Sequence, residues 1–190
     1  MGELFPGGPV TLPTRVRVAE TIIEARWVPA ATIAYHAAAG EWGDLAKRFF
    51  DHGALHDRLA DPDDPLDGRD LAKAALHLAI RASGAGPDIE GFRVMVHMAG
   101  VIVRDWMTVA GRLATQGIDV ESAQFWQVIA ATRNLVLEGA TPEYQAWLER
   151  TLEYPLPMEP ACVEGAGSLT AVRARAQAAF TDLQRELGGD

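Results

Sequence analysis

Between residues 88 and 116 apolar side chains return every three or four positions: Ile89, Phe92, Met95, Ala99, Ile102, Trp106, Val109 and Leu113. This is the period at which an α-helix lines up one buried face. No other stretch constrains the fold as strongly. At 1.5 Å rise per residue it predicts a single helix about 40 Å long, closed by Gly117 as its C-cap. Within it, VMVHMAGVIV (94–103) is the most apolar run of the chain, bounded by Arg93 and Arg104. It is far short of the roughly 20 residues a bilayer span requires, so it reads as a buried core helix and calls for other helices around it.

Other segments offer those neighbours. GRDLAKAALHLAIRAS (68–83) places Leu71, Ala75, Leu78 and Ala82 on one stripe. ESAQFWQVIAATRNLVLEG (121–139) turns Phe125, Val128, Ile129, Thr132, Leu135 and Val136 inward. Phe125 and Trp126 cannot share one narrow stripe, so one of them is expected at an exposed or interface position. A short helix through AATIAYHAAA follows Pro29 at its first turn. DLAKRFFDHGALHDRLA (44–60) continues helically, with Asp44 as N-cap, Leu45, Phe49, Leu55 and Leu59 as its apolar positions and a kink at Gly53. Thr141-Pro142-Glu143 is an N-terminus signal for a helix over 142–153, which would bury Tyr144, Trp147 and Leu148.

Ahead of the helices, VTLPTRVRV (10–18) and TIIEARWVP (21–29) are rich in β-branched residues, and Val16 and Val18 alternate with Arg15 and Arg17. A hairpin around Ala19-Glu20 is expected, the alternative being one continuous N-terminal helix. Behind the helices, YPLPMEP (154–160) reads as a linker because its prolines interrupt any helix. SLTAVRARAQAAFTDLQRELGG then carries an apolar stripe through Val172, Ala176, Ala179, Leu183 and Leu187. The expected fold is therefore mainly α: a bundle of about five to six helices with a short N-terminal β-hairpin and a C-terminal amphipathic helix. Residues 1–157 form the hairpin-plus-bundle domain, and residues 158–190 the linker and the C-terminal helix.

Charge and cysteine usage narrow the partners. The net charge is −9, with Lys47 and Lys73 as the only lysines. Nucleic acid and anionic membranes both ask for clustered cations, so neither is expected as a partner. Cys162 is the single cysteine, so no disulfide can form within the chain, and a reducing, intracellular setting fits. MGELFPGGPV lacks the basic and apolar regions of a signal peptide.

Motifs that could carry chemistry give little. DPDDPLDG (61–68) packs four aspartates before a glycine, yet it fits no EF-hand frame. Counting from Asp63 puts Pro65 at position 3 and Ala74 at position 12; counting from Asp61 puts Pro65 at 5 and Ala72 at 12. A structural account is simpler: Pro62 and Pro65 stop one helix, and Asp67 caps the next with Asp70 in its first turn. His52 and His56 stand four apart in DHGALHD but lack the general base of a zinc-protease helix, and read as a surface pair beside Asp51 and Asp57. His36, His77 and His97 sit among apolar neighbours and are expected to be partly buried and hydrogen-bonded. Cys162 has no histidine partner at a known spacing. SGAG (83–86) lacks the third glycine and the strand of a dinucleotide loop. Ser83, Ser122 and Ser168 lie in no nucleophile-elbow context. No catalytic residue, metal or cofactor is expected, and the chain reads as a non-enzyme.

Two blocks carry a family resemblance. TLPTRVRVAETIIEARWVPAATIAYHAAAGEWGDLAKRFFDHGALHDRLADPDDPLD (11–67) and DWMTVAGRLATQGIDVESAQFWQVIAATRNLVLEGATPEYQAWLERTLEYPLP (105–157) resemble small proteins encoded near the tape-measure gene of actinobacterial tailed phages. In that family a short β-segment leads into a helical bundle. A Trp-containing long helix, a G-[IL]-D turn, another long helix and a PLP-type segment follow. The resemblance implies a tail assembly chaperone that binds tape-measure or tail-tube proteins in the host bacterial cytoplasm. Its alternatives are a minor virion structural protein, in the tail or at the head–tail junction, and a phage protein that binds a host factor. Self-association is compatible with each. The resemblance stops before residue 160 and carries no catalytic residues with it. From the residues themselves, the candidate partner contacts are Trp126 and the C-terminal positions Val172, Ala176, Phe180, Leu183 and Leu187.

Overall fold

The computed structural model describes residues 10–86, 88–143 and 145–146. Among them the chain is mainly helical, with one two-stranded sheet ahead of seven helices. Strands β1 (Arg15–Val18) and β2 (Thr21–Glu24) pair antiparallel, Arg15 opposite Glu24 and Val18 opposite Thr21. The hairpin expected from the alternating valines is thus present, joined by Ala19-Glu20. The two-residue turn demands a left-handed backbone, and Ala19 adopts it (φ +51°) although its Cβ disfavours that conformation. Val18 and Ile23 are buried on one face, while Ile22 on the other is exposed.

Helix α1 (Ala30–Ala39) begins directly after Pro29 and ends at Gly40, whose left-handed backbone (φ 70°) the absent Cβ permits. The expected helix over 44–60 is instead two helices, α2 (Trp42–Phe49) and α3 (His52–Ala60). The break falls at Phe50-Asp51 and not at Gly53. Phe49 and Phe50 are both fully buried, which adjacent residues on a one-sided helix cannot achieve. Asp51 then restarts the helix by accepting hydrogen bonds from the Gly53 and Ala54 N–H groups (3.1 and 3.3 Å). Asp44 does not cap α2. It lies in the first turn and pairs with Lys47 at 2.6 Å.

The acidic stretch acts as expected. Asp67 accepts from the Asp70 N–H at 2.7 Å and opens α4 (Gly68–Ser83). Asp61 closes its own turn on the Asp63 N–H (2.9 Å). Asp64 accepts from the Leu66 N–H (2.9 Å) and from both Nε and Nη2 of Arg58 (2.8 and 2.9 Å). Arg58 Nη2 also donates to Thr21 Oγ1 at 2.8 Å, tying the turn to the hairpin tip. The guanidinium, together with the Leu66 N–H, holds the Asp64 carboxyl below the usual carboxylate range.

The long apolar segment forms α5 (Ile89–Arg104) and α6 (Trp106–Thr115), so the single 40 Å helix is interrupted at Asp105 (φ −110°, ψ 32°). Aspartate is a weak helix former in an interior position, and Arg104 draws its carboxylate sideways into a hydrogen bond of 2.8 Å. The Asp105 N–H still reaches the Val101 carbonyl (2.9 Å), and the apolar stripe runs through the break in phase. Gly117 (φ 76°) closes α6, with the Ile118 N–H returning to the Leu113 carbonyl at 2.9 Å.

Helix α7 (Phe125–Glu138) starts four residues later than the sequence suggested. Asp119 diverts residues 121–124 into a turn, accepting from the Glu121 N–H (3.1 Å) and the Ser122 hydroxyl (2.6 Å). Residues 142, 143, 145 and 146 are helical after Thr141, and the Gln145 N–H bonds the Thr141 carbonyl at 2.9 Å. The rest of the helix expected over 142–153 and the C-terminal helix lie outside the described residues.

Helix α5 is the spine of the core. It packs chiefly on α1 and also on α7 and α4, while α2 lies on α4 and β1 touches α4. Phe92, Met95, Met98 and Ile102 are almost wholly enclosed at its centre.

Candidate interaction surface

Among the depressions on the described residues, two with apolar walls border α7. The first lies where the N-terminal segment, the exit of β2 and the start of α7 meet. Its volume is about 400 Å³, and Leu12, Ala25, Trp27, Leu78 and Trp126 form most of its apolar wall. Backbone ties fix the strand side: the Ala25 N–H bonds the Thr14 carbonyl (2.9 Å) and the Arg26 N–H the Phe49 carbonyl (2.7 Å). Arg26 also makes a close ion pair with Asp51. Trp27 is thereby held at the groove with 54% of its surface exposed. On the α7 side, Phe125 is buried at the first helical position. The next residue points about 100° away around the axis, which turns Trp126 out of the core stripe and into the groove wall. The Gln127 side chain steadies this helix start by accepting from the Gln124 N–H at 3.0 Å. Trp126 is half-buried, and its indole N–H has no partner among the described residues.

The second depression, about 520 Å³, runs between the α5–α6 junction and α7. Val101, Leu135 and Val136 are its half-buried apolar lining, with Asp105, Arg112 and Glu138 at its polar positions. Thr132 lies at its floor, fully enclosed, and its hydroxyl has no partner among the described residues. Elsewhere on α5 and α6, Val103 is 37% and Met107 83% exposed.

Of the residues singled out from sequence, Trp126 stands in the first groove. Val172, Ala176, Phe180, Leu183 and Leu187 lie outside the described residues, as does Cys162. Trp27, Met107 and Val103 were not singled out. Their only signal was apolar character off the predicted stripes.

The histidines are dispersed. His36 is buried and its Nδ1 faces Glu41 Oε2 at 3.1 Å, as a partnered core histidine should. His77 is exposed, contrary to expectation, because the buried face of α4 runs through Leu71, Ala75, Leu78 and Ala82 and leaves that position outside it. His97 is half-buried; its Nε2 has no partner among the described residues, and burial, helped by the nearby Arg93 charge, pushes its pKa below the ordinary value. His56 is exposed, while Asp51 beside His52 is committed to capping α3 and pairing with Arg26. Among the described residues no three histidine, cysteine or acidic side chains gather as a metal site would require. No helix among them is long and apolar enough to cross a membrane.

No family model, curated protein or solved structure matches this chain.

Proposed function

We propose that this chain is a non-enzymatic chaperone of phage tail assembly, which holds an apolar segment of a tape-measure or tail-tube protein in the groove between Trp27 and Trp126. One observation carries the reading. The two blocks that resemble the tail-region family lie far apart in sequence, yet each supplies one wall of this groove: Leu12, Ala25 and Trp27 come from the first block, and Gln124, Trp126 and Gln127 from the second. Two indoles on opposite walls suit capture of an amphipathic partner helix. They offer large apolar area at low conformational cost. The net charge of −9 keeps such a carrier soluble while its apolar cargo is masked.

Co-expression with a phage tape-measure protein tests this. A soluble complex is expected, lost when Trp27→Ser and Trp126→Ser are combined while circular dichroism of the variant remains helical. Equal solubility of the partner with and without this chain would refute the assignment. A fixed copy number in purified particles would replace it with a minor structural role. Growth arrest on expression alone would replace it with binding to a host factor.

A further inference from the structure

We propose that the free edge of β2 is a β-addition site, which takes an extended, uncharged segment of a partner protein as a third strand in the cleft between β2 and α3. The inference does not rest on the tail-assembly reading, since it concerns a different surface from the Trp27–Trp126 groove.

The backbone comes first. In an antiparallel ladder, successive residues turn their N–H and C=O groups alternately toward the partner strand and away from it. The Ala25 N–H reaches the Thr14 carbonyl on the β1 side (2.9 Å). With Val16 opposite Ile23 and Val18 opposite Thr21, Thr21, Ile23 and Ala25 therefore face β1, and Ile22, Glu24 and Arg26 face outward. The Arg26 N–H agrees with this parity, because it bonds outward, to the Phe49 carbonyl at 2.7 Å. The outward N–H and C=O groups of Ile22 and Glu24 have no partner among the described residues. Nothing blunts this edge either. Soluble proteins protect open edges with lysine, proline or a bulge, and Thr21–Glu24 carries none of these in its unbroken register.

Space comes second. A cleft of about 780 Å³ runs along this edge, with Ala54, Leu55 and Arg58 of α3 on its far side. Two ties fix strand and helix at its ends: Arg58 to the Thr21 hydroxyl, and Arg26 to Asp51. From Thr21 to Arg26 the edge spans about 16 Å at strand rise, enough for about five extended residues. Walled by a helix on the far side, the cleft admits a single strand and not the sheet of a second folded copy.

Charge and side chains then define the occupant. Every charged group lining the cleft is already paired within the chain: Arg15 with Glu24 (3.7 Å), Arg26 with Asp51, and Arg58 with Asp64 (2.8 Å). A charged segment would lose water there without gaining a counter-charge, whereas an uncharged one leaves these pairs intact. Side chains of a bound strand alternate between two faces. One face meets Ile22, which is 62% exposed, and the other meets the border of the core at Ile23 and Leu55. Both are aliphatic, so β-branched residues suit either face.

Amide hydrogen exchange of the full-length chain, resolved by residue with NMR, tests this with the end-capped peptide Thr-Val-Thr-Val-Thr at millimolar concentration. Exchange at Ile22 and Glu24 should slow at least about fivefold, while Ile23, whose N–H faces β1, stays unchanged. Capped Lys-Val-Lys-Val-Lys and Glu-Val-Glu-Val-Glu should have no such effect, and neither should the neutral peptide once its backbone nitrogens are methylated. Ile22→Pro removes one outward N–H and leaves the ladder to β1 in place, so it should abolish the protection of Glu24. Should that variant lose the hairpin, the methylated peptide decides instead. No slowing with the neutral peptide overturns the proposal, as does equal slowing with the charged or methylated ones. Protection of Ile22 and Glu24 that appears without peptide and grows with protein concentration also overturns it, because the occupant would then be a second copy.

Discussion

Helices α5 and α6 are two halves of one apolar period, yet they end in different surroundings. Of the sixteen residues of α5, nine are buried, among them Val94, Val96 and Met98 off the main stripe. Of the ten residues of α6, only Val109 and Leu113 are buried, and the off-stripe Met107 lies almost bare. The stripe keeps phase through Asp105, so periodicity does not separate them. Neighbours do: α5 is walled by α1, α7 and α4, whereas α6 meets α7 and the end of α5. Period fixes which face a helix can bury; the number of partners fixes how much of the remainder follows. Apolar residues beyond what the available partners can cover become surface, as Met107 does on α6.

The largest test of the contrast is truncation. Phe92→Ala in α5 removes a fully enclosed ring that packs against Trp42 (centroids 6.1 Å apart). It should cost about 3–5 kcal/mol in denaturant unfolding. Met107→Ala in α6 should change stability by less than about 0.5 kcal/mol. A Met107 effect above about 1 kcal/mol would mean that something covers α6 after all, and the contrast between the helices would fall.

Glycines give a difference of sign. A methyl group on Gly91 would collide with the Gly86 carbonyl and lie 2.6 Å from the Ala85 carbonyl oxygen, both rigid backbone. Gly91→Ala is therefore expected to destabilise by about 1–3 kcal/mol or more. At Gly111 in α6 nothing lies within 4 Å of the added atom, so Gly111→Ala should stabilise by up to about 1 kcal/mol through helix propensity. Opposite shifts of the denaturation midpoint are the readout; shifts of the same sign would refute the view that α5 is enclosed and α6 free.

How much of this was legible in the sequence differs between the same regions. The spine, the hairpin and the Asp67 cap could be read because each is a local signal: a 3.6-residue period, alternating valines, an acid ahead of an apolar run. The break at Asp105 could not, since no proline or glycine marks it and the stripe crosses it unbroken. The break at Phe50-Asp51 had a signal that was missed, two adjacent phenylalanines that one helical face cannot both bury. In the Trp27–Trp126 groove, Trp126 was half-legible from its adjacency to Phe125. Trp27 was not, because the strand alternation ends at Glu24 and the opposite wall comes from a distant part of the chain.

Helix starts offer a smaller contrast. Asp88 caps α5 by accepting from the Gly91 N–H at 2.9 Å, whereas Asp105 precedes α6 without a side-chain cap and faces Arg104 instead. Asp88→Ala should cost about 1 kcal/mol. Asp105→Ala should be neutral or slightly stabilising, because alanine lets the helix run through. Equal losses from both would show that the break at Asp105 is itself a cap.

The subtlest contrast is in pH, and it follows from the enclosure of α5. His97 loses water on folding and sits near Arg93, so its folded pKa lies below the ordinary value of 6.5 that it keeps when unfolded. Above pH 6.5 both states hold it neutral, and stability is at its full value. As pH falls below 6.5 the unfolded chain takes up the proton first, and stability drops until the folded pKa is passed. The denaturation midpoint should therefore decline from pH 7 to pH 5, less steeply in His97→Gln. His77→Gln, at an exposed position on α4, should leave the slope unchanged. If His97→Gln leaves the decline intact, this histidine is not enclosed in solution and the packing drawn for α5 is too tight at that turn.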